Sequence, residues 1–259
     1  MINIAITDQT SLIAFWLIFS RWLAIMFQLP LFDNMTIPTM VKVLSTLLIS
    51  YAFFPITAPH VIKDIQYLGV ENFWALTIFY TFVGLIIGYF VKAIMNIFIA
   101  SGSMITQSIG FAAVRYFDPS SSSQVGPFER LIQWTILIMV ITSGALIPMF
   151  KGVLASFEAI HVYQLGKMAN ISIFFLEFFK SIFTASLMLA SPILFTHVMI
   201  MAVLGIISRT VPQMNIIMVS FVVNIGMGLL VFIACSDEFF QVAYKMYTDR
   251  LGEWFLFFS

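Results

Sequence analysis

Residues 72–100 read NFWALTIFYTFVGLIIGYFVKAIMNIFIA and carry one charged side chain, Lys92. About 18 predominantly apolar residues are enough to cross the ~30 Å hydrocarbon core of a bilayer as a helix. The stretch is longer than that minimum. It therefore predicts a membrane-spanning helix.

The rest of the chain repeats this pattern. Hydrophobic residues make up 61% of the composition and charged residues only 9%, which argues against a soluble protein. The 12 basic and 12 acidic residues balance, so the net charge gives no sign of nucleic-acid binding. The single cysteine excludes an internal disulfide. Five further apolar runs cover approximately residues 11–31, 39–54, 127–143, 171–208 and 213–235.

Prolines and polar residues predict where these helices end. Pro55 and Pro59 are expected to end the second run, and residues 151–170 to form a loop. Pro192 is expected to kink or divide the run that contains it, and Ser236 to begin a separate amphipathic helix. The apolar positions of that last helix are Phe239, Phe240, Ala243, Tyr244, Tyr247, Leu251, Trp254 and Phe255. The predicted fold is all-α and polytopic: about six long, kinked apolar helices arranged as hairpins, plus this C-terminal helix.

A polar interruption, SGSMITQSIGFAAVRYFDPSSSSQVGP, separates the two apolar halves at residues 101–127. Residues 101–109 are small and polar and are expected to continue the third helix. Phe111, Tyr116 and Phe117 are unusual in a solvated linker, where aromatic residues are scarce. From composition alone, the segment is either a loop that inserts into another structure or a surface hairpin anchored by its aromatic residues.

Arg21 lies in the middle of the first run, where a charge costs about 2.5–3.5 kcal/mol on insertion scales. It either contacts a substrate or ion, or is paired within a helix bundle or at a wet subunit interface. The second interpretation is preferred, because the same run holds no carboxylate that could relay protons.

The sequence gives no sign of enzyme chemistry. His60, His161 and His197 are far apart, and neither a metalloprotease HExxH nor a hydrolase GxSxG motif is present. No catalytic residue, cofactor or metal site is predicted.

Several features in order along the chain resemble the FliR family of flagellar export-gate membrane proteins, whose injectisome relative is SctT. They are Arg21, residues 29–32 (LPLF), 37–38 (IP), Gly84 with Gly88, Gly102, 107–111 (QSIGF), 118–119 (DP) and 191–192 (SP). The most specific is LGIISRTVPQMN at residues 204–215, which holds Gly205, Arg209, Pro212, Gln213 and Asn215. The resemblance covers essentially the whole chain.

The resemblance implies a subunit that assembles with FliP-like and FliQ-like partners into an entry pore for unfolded export substrates. An FlhB-like protein would dock on its cytoplasmic side, in the bacterial inner membrane at the flagellar basal body. It implies a FliP-like part at 1–110, a plug loop at 111–127, a fourth helix with a connecting loop at 128–170, and a FliQ-like hairpin with its tail at 171–259. It implies membrane lipid as surroundings and no nucleic-acid partner.

The resemblance also implies roles for individual residues. The expected pore plug comprises Gly110, Phe111, Arg115, Tyr116, Phe117, Asp118, Ser120, Ser121, Ser122 and Ser123. The expected subunit-packing residues are Arg21, Gly84, Gly88, Gly205, Arg209, Pro212, Gln213 and Asn215.

The chain departs from the family pattern at two places. Tyr80 stands one turn before Gly84, where family members often have an acid. Residues 220–224 read SFVVN, where the injectisome branch usually has Pro-x-Lys, and this favours the flagellar branch. An injectisome subunit and a stand-alone secondary transporter remain as alternatives. A transporter should show related halves with matching broken helices, and only Pro192 marks such a break.

Overall fold

The described part of the chain is helical. A computed structural model describes residues 8–29, 38–111, 127–144, 146–163, 171–211 and 215–258, and within these ranges it contains no β-strand. The helices are α1 (Gln9–Met26), α2 (Thr39–Leu68), α3 (Phe73–Ile109), α4 (Pro127–Thr142), α5 (Leu146–Ala159), α6 (Ile171–Thr210) and α7 (Ile216–Phe258). A 3-10 turn, Val70–Asn72, joins α2 to α3.

Five of the described helices, α1, α2, α3, α6 and α7, are long and apolar enough to cross a membrane. The number rises to six if the consecutive helices α4 and α5 count as one broken span. The predicted class, a polytopic all-α membrane protein, is confirmed.

The prediction that α2 ends before Pro55 is wrong, because the helix continues through Pro55 and Pro59 to Leu68. Each proline removes one backbone hydrogen bond, but unwinding the helix in an apolar setting would leave more groups unpaired. Gly69 ends the helix with a positive φ of 83°. Its N–H donates to the carbonyl of Ile65 at 2.8 Å.

Pro192 was predicted to kink or divide its run, and it does not divide it, since α6 is one continuous helix of 40 residues. Pro192 has no N–H to give to the carbonyl of Met188, four residues earlier. The hydroxyl of Ser191 donates to that carbonyl instead, at 2.7 Å. A local side chain thus replaces the lost backbone bond.

Two more boundaries differ from the sequence prediction. The segment expected to be a loop from residue 151 contains most of α5. Ser236 does not begin a new helix, because α7 runs through it and its hydroxyl donates to the carbonyl of Ile233 at 2.9 Å. Of the apolar positions predicted after Ser236, Phe239, Ala243, Tyr247 and Leu251 are buried and Phe240 and Tyr244 are half-buried, while the side chains of Trp254 and Phe255 lie outside the described part.

Both ends of the polar interruption are helical, as predicted for its flanks. The helix α3 continues through residues 101–109. Pro127 is the first residue of α4, where its fixed φ and missing N–H fit the first turn, and Glu129 follows in that turn.

The chain divides into two compact units. Unit 1 comprises Met1–Ile94, Ala145–Phe174 and Arg250–Ser259, and unit 2 comprises Met95–Gly144 and Phe175–Asp249. In unit 1, the buried Trp22 of α1 packs between Phe53 of α2 and Phe150 of α5, with both pairs of ring centroids 5.7 Å apart.

Unit 2 has its own close helix contact. A Cβ added to Gly102 of α3 would lie 3.3 Å from the Cα of Glu129 in α4. Ile105 and Ile132 are fully buried in this unit. Gly102 therefore lets the two helices approach closely.

Candidate functional site

The side chain of Arg21 is completely buried in unit 1. Its Nη1 donates to the carbonyl of Ser156 in α5 at 3.0 Å. Its guanidinium lies over two aromatic rings, 4.4 Å from the centroid of Tyr80 and 4.2 Å from that of Phe157. Stacking on ring faces stabilises a cation that has lost its water. Of the two interpretations of Arg21, the structure supports pairing within a helix bundle.

A buried carboxylate continues this polar network. The hydroxyl of Tyr80 donates to Oδ2 of Asp64 at 2.7 Å, and Nδ1 of His161 lies 3.1 Å from Oδ1. The side chain of Asp64 is fully buried, and His161 is 5% exposed. Arg21, Tyr80, Asp64 and His161 therefore form one network, which we call the buried charge network.

The buried charge network ties together four parts of unit 1. Arg21 comes from α1, Asp64 from α2, Tyr80 from α3 and His161 from the segment just after α5. The ring face of Tyr80 contacts the guanidinium of Arg21, and its hydroxyl donates to the carboxylate of Asp64. Tyr80 therefore lies between the two opposite charges and stabilises both. Because a lone buried charge is strongly destabilising, each charge makes the other tolerable. The arrangement fixes helices in place; it does not resemble a catalytic site.

Two glycines of α3 bring that helix against α1. A Cβ on Gly84 would lie 2.5 Å from the carbonyl oxygen of Arg21, and one on Gly88 would lie 2.9 Å from Nε2 of Gln28. The same Nε2 donates to the carbonyl of Leu85 at 2.8 Å. The glycine pair thus packs α3 against α1 within this chain, as a GxxxG motif does.

Sequence reasoning missed three members of the buried charge network: Asp64, Tyr80 and His161. Asp64 lies beyond Pro55 and Pro59, which were predicted to end the helix, and His161 was assigned to a loop, as was Ser156, which accepts the hydrogen bond of Arg21. Tyr80 was noticed only as a departure from the family pattern. A usable signal was present, since a buried arginine needs an opposite charge and Asp64 is close to an apolar run.

The end of α3 is the described beginning of the predicted plug. Gly110 has a φ of +95°, a left-handed conformation that side-chain-bearing residues rarely adopt. A Cβ there would lie 3.6 Å from the ring of Phe221 in α7. Phe111 is described as well, whereas residues 112–126 are not. The predicted plug residues outside the described ranges are Arg115, Tyr116, Phe117, Asp118, Ser120, Ser121, Ser122 and Ser123.

Most described residues of the motif at residues 204–215 are exposed, whereas Leu204 is buried. A Cβ on Gly205 would meet nothing within 4 Å, and Arg209 is exposed. Asn215 precedes α7, where its Oδ1 accepts a hydrogen bond from the N–H of Met218 at 3.4 Å, so it caps that helix. Pro212 and Gln213 lie outside the described residues. Gly205 and Arg209, the other described subunit-packing residues predicted in this motif, are therefore not covered by other parts of the chain.

Among the described residues, no group of three or more His, Cys, Asp or Glu side chains is placed to hold a metal ion. His60, the other histidine near the buried charge network, stacks at 6.3 Å from His161, measured between ring centroids. We place no catalytic step at this network.

Comparison with known proteins identifies the family of this chain. Residues 12–249 match the bacterial export proteins, family 1. The chain belongs to this family. It is therefore a membrane protein of the flagellar and type III export family. Members of this family are components of protein export, and the family is not a known class of enzyme.

Relatives from both branches of the family resemble the chain over most of its length. It is 24% identical to the flagellar biosynthetic protein FliR of Bacillus subtilis over 240 residues, which cover 91% of this chain and 90% of that protein. It is 30% identical to FliR of Borreliella burgdorferi over 58% of this chain and 56% of that one. It is 22% identical to the surface presentation of antigens protein SpaR of Shigella flexneri, over 90% and 91%. The resemblance inferred from the sequence is confirmed.

Proposed function

We propose that this chain is a subunit of the flagellar type III protein export gate. In this role it forms, with FliP-like and FliQ-like subunits, the pore through which unfolded flagellar proteins leave the cell. It resides in the inner membrane at the flagellar basal body, where an FlhB-like protein docks on the cytoplasmic side. Family membership and the name of the FliR relatives support this proposal.

The observation that carries the proposal is the exposed apolar surface of the last two helices. Only 22% of the most apolar window of α6, and the same share in α7, is buried within the chain. Each of these apolar segments spans 36 residues, or about 54 Å at the helical rise. A bilayer core of about 30 Å can cover only part of that length. The remaining apolar surface needs protein neighbours.

The glycine and arginine of residues 204–215, Gly205 and Arg209, fit such neighbours. The open space beside Gly205 would let another helix approach closely, as small residues do in membrane bundles. Arg209, in the last turn of α6, is exposed and available to pair with a partner. We therefore assign Gly205, Arg209 and Asn215 to the contact with the FliQ-like subunits.

The plug assignment rests on the position of the segment that follows Gly110. It starts where α3 ends, and its aromatic residues suit a dry closure that has no preference for a passing sequence. We propose that residues 110–123 close the resting pore. We also propose that the chain is divided into the FliP-like, plug, fourth-helix and FliQ-like parts given above.

The first experiment tests assembly. The full chain is expressed with and without its FliP-like and FliQ-like neighbours, and each preparation is purified in mild detergent. We expect a stable complex only with the partners, and we expect Gly205→Leu to abolish it. Gly252→Leu is the matched control, because a Cβ at Gly252 also meets nothing within 4 Å. A stable monomer that transports a solute alone would instead support the secondary-transporter alternative.

The second experiment tests the plug. Deletion of residues 110–123 in the assembled complex should make resting vesicles leak ions, measured as dye release or conductance. A chain in which residues 112–123 are replaced by Gly and Ser of equal number separates loss of the plug from shortening of the loop. Unchanged permeability in an assembled deletion complex would overturn the plug assignment.

The similarity to SpaR favours an injectisome subunit as a second candidate. The two branches are separated by complementation. A flagellar subunit should restore swimming motility to its own deletion strain, whereas an injectisome subunit should restore effector secretion and leave motility unchanged.

A further inference from the structure

Two buried polar atoms of unit 2 lack a hydrogen-bond partner among the described residues. They are Nδ1 of His197 in α6 and Oδ1 of Asn224 in α7. Both side chains line one narrow space, together with Ser108 and Ile109 at the end of α3. We call this contact between the end of α3 and the two long helices the seam. Unpaired buried polar groups destabilise the state that buries them.

The hydroxyl groups that line the seam do not supply a hydrogen bond to either unpaired atom. The hydroxyl proton of Ser108 is given to the carbonyl of Met104 at 2.8 Å, and that of Thr196 to the carbonyl of Pro192 at 2.9 Å. The space that they line is too narrow to admit a sphere the size of a water molecule. A buried water needs about one such sphere of room and two to four polar partners. Closed as it is here, the seam supplies the polar partners but not the room.

Apolar contacts hold the seam closed. A Cβ on Gly228 of α7 would lie 2.6 Å from Cγ1 of Ile109, which shows how closely the end of α3 is seated. One residue further, Gly110 faces the ring of Phe221. The same surface therefore combines a close apolar fit, which favours the closed arrangement, with two unpaired polar atoms, which oppose it.

We propose that the seam is a hydration site which opens and closes with the end of α3. When Ile109 leaves Gly228, water enters, donates a hydrogen bond to Oδ1 of Asn224 and pairs with Nδ1 of His197. When Ile109 returns, the water is expelled and both atoms lose their partners. The two states are then close in free energy, and the end of α3 moves between them as a joint.

The seam consists only of described residues of one unit, and its opening does not depend on whether residues 110–123 plug a pore. Its test consequently reads the position of α3 rather than export or leakage.

The test measures how often the seam opens. The full chain, in membranes from cells that express it with its neighbours, carries Ser108→Cys as a probe and Cys235→Ala to remove the native thiol. A small, water-soluble methanethiosulfonate reagent labels the introduced thiol only when water reaches the seam. Gly228→Ala should raise the labelling rate about tenfold, because its Cβ displaces Ile109, the equivalent of about 1.4 kcal/mol in favour of the open state. Gly226→Ala is the matched control, since a Cβ there meets nothing within 4 Å.

A second variant acts in the opposite direction. Asn224→Leu removes the unpaired carbonyl while keeping its shape, so it should slow labelling about tenfold and leave the melting temperature unchanged or higher. Asn96→Leu, on an exposed position of α3, should change neither. Equal labelling of the two glycine variants would overturn the proposal. So would faster labelling, a lower melting temperature or loss of folding in Asn224→Leu, because each would mean that the carbonyl already has a partner when the seam is closed.

Discussion

The helices α3 and α6 both pass for membrane spans by their sequences, but the fold uses them differently. In α3 and the turn before it, 61% of the most apolar window is buried within the chain, whereas in α6 the share is 22%. α3 packs its glycines against α1 and carries Tyr80 into the buried charge network. α6 leaves Gly205 and Arg209 open. Hydropathy reports that a segment avoids water and says nothing of whether lipid, another subunit or the same chain replaces the water.

The largest expected effect on stability comes from removing the buried charge of Arg21. Arg21→Met should lower the free energy of unfolding by about 3–5 kcal/mol, because it removes the buried cation that compensates Asp64. Denaturant unfolding in detergent micelles measures this loss, and Arg21→Met combined with Asp64→Asn should recover part of it. Arg209→Met, on the exposed part, serves as the control and should leave the stability of the chain nearly unchanged. Equal losses in the two arginine variants would remove the contrast between the regions.

Tyr80→Phe tests the link inside the buried charge network. Without the hydroxyl, Oδ2 of Asp64 loses its donor, and a hydrogen bond to a charged group contributes about 1.5–3 kcal/mol. The same unfolding experiment should show a loss of that size. Tyr51→Phe, whose side chain is 63% exposed on α2, should show almost none. A silent Tyr80→Phe would mean that the Asp64 carboxyl is neutral or bonded elsewhere.

Gly84→Ala compares the packing of the two regions directly. Its Cβ would overlap the carbonyl of Arg21, so we expect a loss of about 1–3 kcal/mol from overpacking. Gly205→Ala should instead raise the stability of the isolated chain by up to about 1 kcal/mol, through helix propensity alone. If co-purification with the partner subunits falls for Gly205→Ala while chain stability rises, the exposed region is an interface. If chain stability rises and co-purification is unchanged, it faces lipid.

The smallest expected effect concerns Asn215. Asn215→Ala removes the cap of α7 and should cost about 1 kcal/mol, seen as faster hydrogen exchange in the first turn of that helix. Asn215→Ser keeps a capping oxygen and should restore slow exchange. A subunit-packing role would appear as loss of the complex in Asn215→Ser despite the restored cap, whereas an intact complex would limit Asn215 to capping.

Helix interiors were easier to predict than helix ends. The long apolar runs gave the class and the positions of the spans, because an apolar helix satisfies its own backbone hydrogen bonds wherever it is placed. Pro55 and Pro59 were misread as a helix end, and of the two outcomes predicted for Pro192, a kink or a division, the division is wrong. Whether a proline ends a helix depends on what replaces the missing bond, and at Pro192 the answer is the hydroxyl of Ser191. Whether a side chain will replace a missing backbone hydrogen bond is difficult to judge from the sequence.

The candidate site was predicted only in part. Arg21, Gly84 and Gly88 were selected from the sequence, and the structure brings them together. Asp64 and His161 are 97 residues apart in the chain, and no periodicity connects them. Their contact exists because α2 and the end of α5 are packed side by side, which is a property of the tertiary fold.

The sequence by itself determined that this protein is helical, lies in a membrane and belongs to a family of bacterial export proteins, because composition, run length and the motif at residues 204–215 are local properties. Only the tertiary structure decided which apolar helices form a core, which polar residues compensate Arg21, and where two polar atoms remain unpaired beside Gly228. Those outcomes depend on which surfaces meet, and hydrophobicity is non-directional, so it leaves that choice to shape and to the pairing of buried charges.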